Sequence, residues 1–118
     1  MAIDMAKKHH VTLTDISRDV LAKAKQKCSD LSTQELDVTD IKALQGVIKE
    51  HDMVINAVPG FLGFETLRNI IEAGMNVVDI AFFPENSLEL DALAKEHNVT
   101  AIVDCGVAPG MDNVILGY

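Results

Sequence analysis

Five short apolar segments in this chain each end in an acidic or amide residue. The segments finish at Asp15, Asp37, Asn56, Asp79 and Asp104, at intervals of about 19 to 25 residues. Each interval has room for one helix and two short loops, which is the repeat of alternating β and α units. Because open parallel sheets bind ligands just beyond the carboxyl ends of their strands, the repeat predicts both a fold and the edge where a site lies.

The composition indicates one small domain with an aliphatic core. The chain has 118 residues, of which 48% are hydrophobic and 4% aromatic. Parallel strands that are covered by helices on both faces favour aliphatic cores of this kind. The net charge of −8 opposes binding to nucleic acid and to acidic membranes, although helix N-termini can still hold an anionic cofactor. We therefore expect one domain over residues 1–118, with no nucleic-acid partner and no membrane association.

The two cysteines, Cys28 and Cys105, are far apart in the sequence and form no metal-binding or redox spacing. The four histidines also lack metal-ligand spacing, so we expect no metal site. No apolar stretch is long enough for a signal peptide or a transmembrane helix. Two reduced thiols and no targeting segment together predict a cytoplasmic protein.

Helices are predicted between the five strands. The strands are VTLTD, TQELD, DMVINAV, NVVDI and TAIVD. The helices are expected to run from Ser17 to about Lys27, from Thr39 or Asp40, from Glu65 to Ala73, and up to Asn98. The segment PGFLG is expected to break regular structure before the third of these helices, while Gly74 and Asn98 are expected to be left-handed C-caps.

The glycine-rich phosphate loop of a dinucleotide-binding unit is missing. Such a unit opens with a strand, then GxGxxG, then a helix. Here residues 1–10 have the pattern of a helix tail, and none of the seven glycines precedes the VTLTD strand. We therefore predict an α/β fold with a Rossmann-like doubly wound parallel sheet that lacks its first strand and its glycine-rich loop. VTLTD would then pair directly with DMVIN, or a partner chain would fill the gap. Exposed strand edges of this kind encourage association, so a homo-oligomer is possible.

Asp15 is the first candidate for cofactor binding. A carboxylate at the end of this strand can accept hydrogen bonds from both ribose hydroxyls of the adenosine half of NAD, and it would repel the extra phosphate of NADP. Asp15 could instead be a turn residue that caps the next helix, but the β/α repeat favours the role in cofactor binding. Ile16 and Ser17 complete this segment, and Arg18 could instead pair with a 2′-phosphate. NAD is therefore favoured, with NADP left open.

Two later segments could contact the same kind of cofactor. Asp37 could hold the adenine amino group, with Val38 against the ring, or it could be an acidic residue at a helix N-terminus. The backbone of the turn that follows the fourth predicted strand could run past a ribose and a nicotinamide, or the turn could be purely structural. That turn consists of Ala57, Val58, Pro59 and Gly60.

Asp79 and Asp104 would lie on the rim where a substrate binds. Either could bind a substrate ammonium group or merely cap a loop. No catalytic residue can be assigned, because the chain contains no YxxxK, no GxSxG, no P-loop and no zinc pattern.

The C-terminal stretch DCGVAPGMDNVILGY resembles the saccharopine dehydrogenase-like family, and within it the bacterial lysine 6-dehydrogenases, which have a similar Asp-x-Gly-Val-Ala-Pro-Gly-Met segment. VTLTDIS, LDVTD and HDMVINAVP are similar to the second, third and fourth strands of that family. The resemblance implies an NAD(P)-dependent oxidoreductase that acts on the C–N bond of a small amino-acid substrate. Hydride would pass to the nicotinamide and leave an imine.

The resemblance also implies roles for individual residues. Asp15 would be the ribose ligand, Asp37 and Val38 would contact adenine, and residues 57–60 would lie beside the nicotinamide half. Cys105 and Gly106 would lie on the substrate side, leading into a substrate domain that the chain lacks. We therefore expect this chain alone to be catalytically inactive, with weak or no cofactor affinity. The alternative is a non-catalytic Rossmann-like binding or dimerisation module; a reductase of the extended short-chain class is disfavoured because YxxxK is absent.

Overall fold

The computed structural model describes residues 1–117 and alternates short strands with helices. The chain divides into two compact units, residues 1–43 and residues 44 onward. The division falls within helix α3 (Ile41–Ile48). Asp40 caps that helix, because its Oδ1 accepts a hydrogen bond from the Ala43 N–H at 3.0 Å. Asp40 is one of the two residues that were predicted to cap it.

The first unit contains a two-stranded parallel sheet. Its elements are α1 (Ala2–Met5), β1 (Thr12–Asp15), α2 (Arg18–Lys27) and β2 (Ser32–Glu35). In the register of the sheet, Thr12 lies opposite Ser32 and Asp15 lies opposite Glu35. The apolar core of this unit is aliphatic and includes Leu21, Leu31 and Leu36.

The second unit contains a three-stranded parallel sheet in the order β3-β4-β5. Its elements are β3 (Val54–Asn56), α4 (Gly60–Glu72), β4 (Val77–Asp79), a 3-10 turn (Ser87–Leu90), α5 (Asp91–Glu96), β5 (Ala101–Ile102) and α6 (Met111–Leu116). The register places Asn56, the last residue of β3, directly opposite Asp79, the last residue of β4. Two polar side chains therefore meet at the carboxyl edge of this sheet.

Helix α4 forms the core of the second unit by packing against β3 and β4. Its buried apolar side chains recur at helical spacing, and Leu67 and Ile71 are 1% and 0% exposed. The helix begins at Gly60, with Pro59 as N-cap, so the prediction that PGFLG would be irregular was wrong. Proline fixes φ in the range that a helix start requires, and Gly63 lets the first turn approach Phe83 closely.

Two residues were expected to end helices in the left-handed conformation, and both do. Gly74 follows α4 with a φ of +76°, and Asn98 follows α5 with a φ of +53°. Their backbone N–H groups donate to the carbonyl oxygens of Ile71 and Lys95. These hydrogen bonds satisfy carbonyl groups that the helix ends would otherwise leave unpaired.

The parallel strands confirm the predicted α/β class, but they form two sheets. β1 pairs with β2, and β3 pairs with β4. Among the described strands, VTLTD therefore does not pair directly with DMVIN, which was one of the two expected arrangements. Within residues 1–117, no helix is both long enough and apolar enough to span a lipid bilayer.

Candidate functional site

Asp15 lies at the carboxyl end of β1 and organises the start of α2. Its Oδ1 accepts a hydrogen bond from the Ser17 N–H at 2.8 Å, and the Ser17 hydroxyl oxygen in turn accepts from the Val20 N–H at 3.4 Å. Ser17 is thus the N-cap of α2, as predicted, while Ile16 between them is exposed. The second carboxylate oxygen of Asp15, Oδ2, accepts no hydrogen bond from residues that the structure describes. This oxygen is the acceptor that a ribose hydroxyl would need.

Arg18, the first residue of α2, forms an ion pair with Glu35, the last residue of β2. The Arg18 Nε donates to the Glu35 Oε2. Because Glu35 lies opposite Asp15 in the sheet register, two carboxylates and one guanidinium gather at the carboxyl edge of β1 and β2. Sequence reasoning identified Asp15 and Arg18 but missed Glu35. Local sequence does not show which residues of two strands lie opposite each other. Aligning the ends of two neighbouring parallel strands would have pointed to Glu35 as the residue opposite Asp15.

Asp37 lies beyond β2 rather than at its end. Its Oδ1 accepts hydrogen bonds from the Thr39 hydroxyl at 2.6 Å and from the Thr39 N–H at 2.9 Å. The Thr39 hydroxyl, and to a lesser extent the Thr39 N–H, hold the pKa of the Asp37 carboxyl below its ordinary value. Asp37 is exposed and Val38 is half-buried. The turn therefore presents an ionised acid beside a partly exposed apolar side chain, which is the combination that the predicted adenine contact requires.

The second unit has a buried polar pair where β3 and β4 end. Asn56 is 2% exposed and Asp79 is 0% exposed. The Asn56 Nδ2 donates to the Asp79 Oδ2 at 2.6 Å and to the Gly63 carbonyl oxygen at 3.4 Å, while the Ala81 N–H donates to the Asp79 Oδ1 at 2.7 Å. Burial raises the pKa of the Asp79 carboxyl, against the two hydrogen bonds that lower it; the charge of Asp104 adds to the rise. Asp79 therefore joins β3 to the segment after β4, and Asn56 extends this network to α4.

Residues 57–60 connect this pair to α4. Ala57 and Pro59 are exposed, and Val58 and Gly60 are half-buried. A Cβ atom placed on Gly60 would lie 1.8 Å from the Phe82 carbonyl oxygen. Because glycine has no side chain, Gly60 allows α4 to pack closely against the segment that follows β4.

Residues 104–110 form a compact loop after β5. Asp104 has a φ of +58°, and Gly106 pairs with Gly110 in an isolated bridge. The Cys105 N–H donates to the Asp79 carbonyl oxygen at 3.1 Å, so this loop is anchored to the end of β4. The four candidates for the substrate side are therefore close together, with Asp79 buried and with Asp104 and the Cys105 thiol exposed. Within the described part of the chain, no cluster of three or more His, Cys, Asp or Glu side chains could hold a metal ion.

The residues of the first unit fit the adenosine end of a nicotinamide dinucleotide. Asp15 offers a free carboxylate oxygen for a ribose hydroxyl, and the exposed Arg18 guanidinium offers N–H donors beyond the one given to Glu35. The N-terminus of α2 lies beside both and favours negative charge.

Comparison with known proteins identifies relatives of this chain. Over 79 residues the chain is 30% identical to a saccharopine dehydrogenase [NADP(+), L-glutamate-forming] of Pyricularia oryzae, a match that covers 67% of this chain and 18% of that protein. The protein of the same description from Saccharomyces cerevisiae is 28% identical over 93 residues, covering 79% of this chain and 21% of that protein. The chain thus spans about a fifth of the length of these relatives.

A solved structure has the same fold. Apo histidine-tagged saccharopine dehydrogenase (L-Glu forming) from Saccharomyces cerevisiae matches with a TM-score of 0.82 and 27% identity, over 98% of this chain and 26% of that one. This match confirms the predicted Rossmann-like α/β fold. The sequence model of a protein family, the saccharopine dehydrogenase NADP binding domain, matches residues 1–102. This bears out the predicted nicotinamide dinucleotide cofactor and favours NADP, the alternative that Arg18 had left open. The chain therefore belongs to the saccharopine dehydrogenase NADP-binding-domain family.

Proposed function

We propose that this chain binds a nicotinamide dinucleotide as part of an oxidoreductase that acts on the C–N bond of an amino acid. Its membership of an NADP-binding-domain family and the amino-acid dehydrogenases among its relatives support this proposal. The observation that carries it is the arrangement of Asp15 and Arg18 at the carboxyl edge of a parallel sheet, where such sheets bind ligands. When bound, the nicotinamide ring supplies hydride chemistry.

Within the first unit, each group would have a distinct task. The free Oδ2 of Asp15 accepts a hydrogen bond from a ribose hydroxyl, and Ser17 and Ile16 shape the turn beneath it. Arg18 offsets the negative charge of a 2′-phosphate, which Asp15 opposes. Asp37 and Val38 receive the adenine ring, with Asp37 kept ionised by Thr39.

Within the second unit, the proposed roles concern the reacting end of the cofactor and the substrate. The backbone of residues 57–60 would lie beside the nicotinamide half. The segment of Asp104, Cys105 and Gly106, in which the first two residues are exposed and Gly106 is half-buried, would face the amino-acid substrate. Asp79 has no exposed surface, so its role is to position Asn56 and the Ala81 N–H. No residue is assigned as the catalytic base.

The charge of Asp15 is predicted to set the affinity for the unphosphorylated cofactor. Asn also accepts the Ser17 N–H in a turn of this type, so Asp15→Asn removes the charge while keeping the local fold. Loss of a charge-assisted hydrogen bond is expected to weaken NADH binding by about tenfold. NADPH binding should change less, because the repulsion of its 2′-phosphate is lost as well. Calorimetric or NMR titration of the purified chain measures both affinities.

Asp30→Asn is the matched control for this titration. Asp30 is exposed in the turn before β2, at the opposite edge of the sheet, so its neutralisation removes the same net charge far from the proposed site. It should leave both affinities unchanged. Equal NADH affinity in wild type and Asp15→Asn would contradict the role of Asp15. Of the two expectations for this chain, weak affinity or none, the proposed function requires weak but measurable binding. A chain that binds neither cofactor at millimolar concentration would therefore contradict the proposed function. The purified chain is expected to show no turnover with an amino acid.

Two further aspects belong to the same proposal. The free state of Cys28 and Cys105 supports a cytoplasmic location, and the resemblance to lysine 6-dehydrogenases supports a place in lysine metabolism.

Self-association into a homo-oligomer is supported by exposed apolar side chains, among them Phe61 at 85% and Leu88 at 76% exposure. Sedimentation velocity is expected to show species larger than the 12.8 kDa monomer; a monomer at all concentrations would contradict it.

A further inference from the structure

The ion pair between Arg18 and Glu35 bears on the choice between the two cofactors. Arg18 is placed by the N-terminus of α2, and Glu35 is placed by the end of β2. The Arg18 side chain is 84% exposed and the Glu35 side chain is 46% exposed. Both groups are therefore accessible to a ligand, and neither is needed to fill the core.

The charges at this edge of the first unit do not by themselves suit a phosphate. Asp15 and Glu35 carry two negative charges against the single positive charge of Arg18. The family nevertheless favours NADP, whose 2′-phosphate adds further negative charge. The cation that would offset this charge is already engaged by a carboxylate of the same chain.

The geometry of the guanidinium makes this engagement a competition. Arginine holds a phosphate best through two parallel N–H groups on one side of its planar fork. In this structure the Nε group on one side donates to the Glu35 Oε2. A phosphate that uses that side of the fork must displace Glu35, whose negatively charged oxygen accepts a hydrogen bond from the same Nε group.

The geometry points to Glu35 as a residue that sets cofactor preference: it competes with the ribose 2′-phosphate for Arg18 and so lowers the preference for NADP over NAD. This inference rests on the proposed function, because it assumes that an adenine nucleotide binds at Asp15 and Arg18. An exposed ion pair contributes little net stability, so Glu35 is displaced at a small cost. It therefore tunes the preference between the cofactors without excluding either.

Glu35→Gln is the test. The variant keeps the shape of the side chain and removes its charge, so Arg18 becomes fully available to a phosphate. We expect its affinity for adenosine 2′,5′-bisphosphate to rise roughly fivefold, with the affinity for adenosine 5′-monophosphate unchanged. NMR titration of the full chain with each nucleotide gives the ratio of the two affinities. This ratio would not respond to a general loss of structure. Asp30→Asn again removes one negative charge far from the site and should leave the ratio unchanged.

Arg18→Gln, alone and combined with Glu35→Gln, shows whether the effect passes through the arginine. If Glu35 acts by competing for Arg18, removal of Glu35 has no effect on the ratio in the Arg18→Gln background. An equal rise in both backgrounds would mean simple repulsion of phosphate by Glu35, and it would overturn the inference. An unchanged ratio in Glu35→Gln, with both nucleotides still bound, would also overturn it while leaving the proposed function in place. Failure of every variant and of the wild type to bind either nucleotide would overturn both.

Discussion

Replacement of Asn56 by alanine is expected to lower the free energy of unfolding by about 3 kcal/mol at pH 7, and by much less near pH 4. Asn56 donates one of the two hydrogen bonds that reach the fully buried carboxylate of Asp79. Without it, an ionised Asp79 would keep only the Ala81 N–H. The neutral, protonated form of Asp79 depends far less on this donor, so the cost falls as the pH is lowered.

The sign of the pH dependence follows from the direction of the Asp79 shift. Burial raises the pKa of Asp79 above its unfolded value, so the folded chain binds this proton more tightly than the unfolded chain. The stability that this contributes is fully present below the unfolded pKa and is lost as the pH rises through the raised pKa. Loss of the Asn56 donor raises the pKa of Asp79 further. The difference between wild type and Asn56→Ala therefore grows with increasing pH.

Urea unfolding followed by circular dichroism, at several pH values between 4 and 7, measures this difference. Asn86→Ala is a matched control, because Asn86 is exposed and caps a 3-10 turn through the Leu88 N–H. It should cost about 1 kcal/mol at every pH. In an Asp79→Asn background, where residue 79 no longer titrates, the cost of Asn56→Ala should become independent of pH. A cost in the wild-type background that is the same at pH 4 and pH 7 would show that Asn56 does not stabilise the charge of Asp79.

The ends of three strands could be predicted from the sequence because they are encoded locally. A run of apolar β-forming residues followed by one polar residue correctly placed Asp15, Asn56 and Asp79 at the ends of β1, β3 and β4. The same rule predicted that strands end at Asp37 and Asp104, but the observed strands end two residues earlier, at Glu35 and Ile102. At these two places the strand ends early: the four residues of β2 are all polar, and the backbone at Asp104 adopts a positive φ.

Interactions between strands could not be predicted in this way. The sequence marked Asp79 as a rim residue, but Asp79 is completely buried, and its hydrogen bonds come from Asn56 and from the Ala81 N–H, which lie outside β4. Likewise, Arg18 was a candidate for a phosphate, but its partner Glu35 is 17 residues away and is brought to it by sheet register. The start of α4 was also missed, since glycines at positions 60 and 63 look like helix breakers until the segment that they contact is known.

Gly60→Ala is expected to lower the free energy of unfolding by about 3 kcal/mol, because the new methyl group would overlap backbone atoms. Its Cβ would lie 1.8 Å from the Phe82 carbonyl oxygen and 3.0 Å from the Phe82 carbonyl carbon. Neither atom belongs to a flexible side chain, so the first turn of α4 or residues 81–83 must move. Such a movement would also disturb the Phe64–Phe83 ring contact, whose centroids are 5.8 Å apart. Urea unfolding at pH 7 gives the change.

Gly46→Ala separates this overlap from the general effect of adding a methyl group to a helix. Gly46 lies within α3, and a Cβ on it would meet no atom within 4 Å. Alanine at this position should therefore raise the free energy of unfolding by about 0.5 to 1 kcal/mol, since it restricts the unfolded chain and favours the helix. Equal stabilities of the two variants would show that the approach of α4 to Phe82 is not tight. If Gly60→Ala were as stable as wild type but had lost NADPH binding, Gly60 would be needed for the cofactor, and its packing against Phe82 would be incidental.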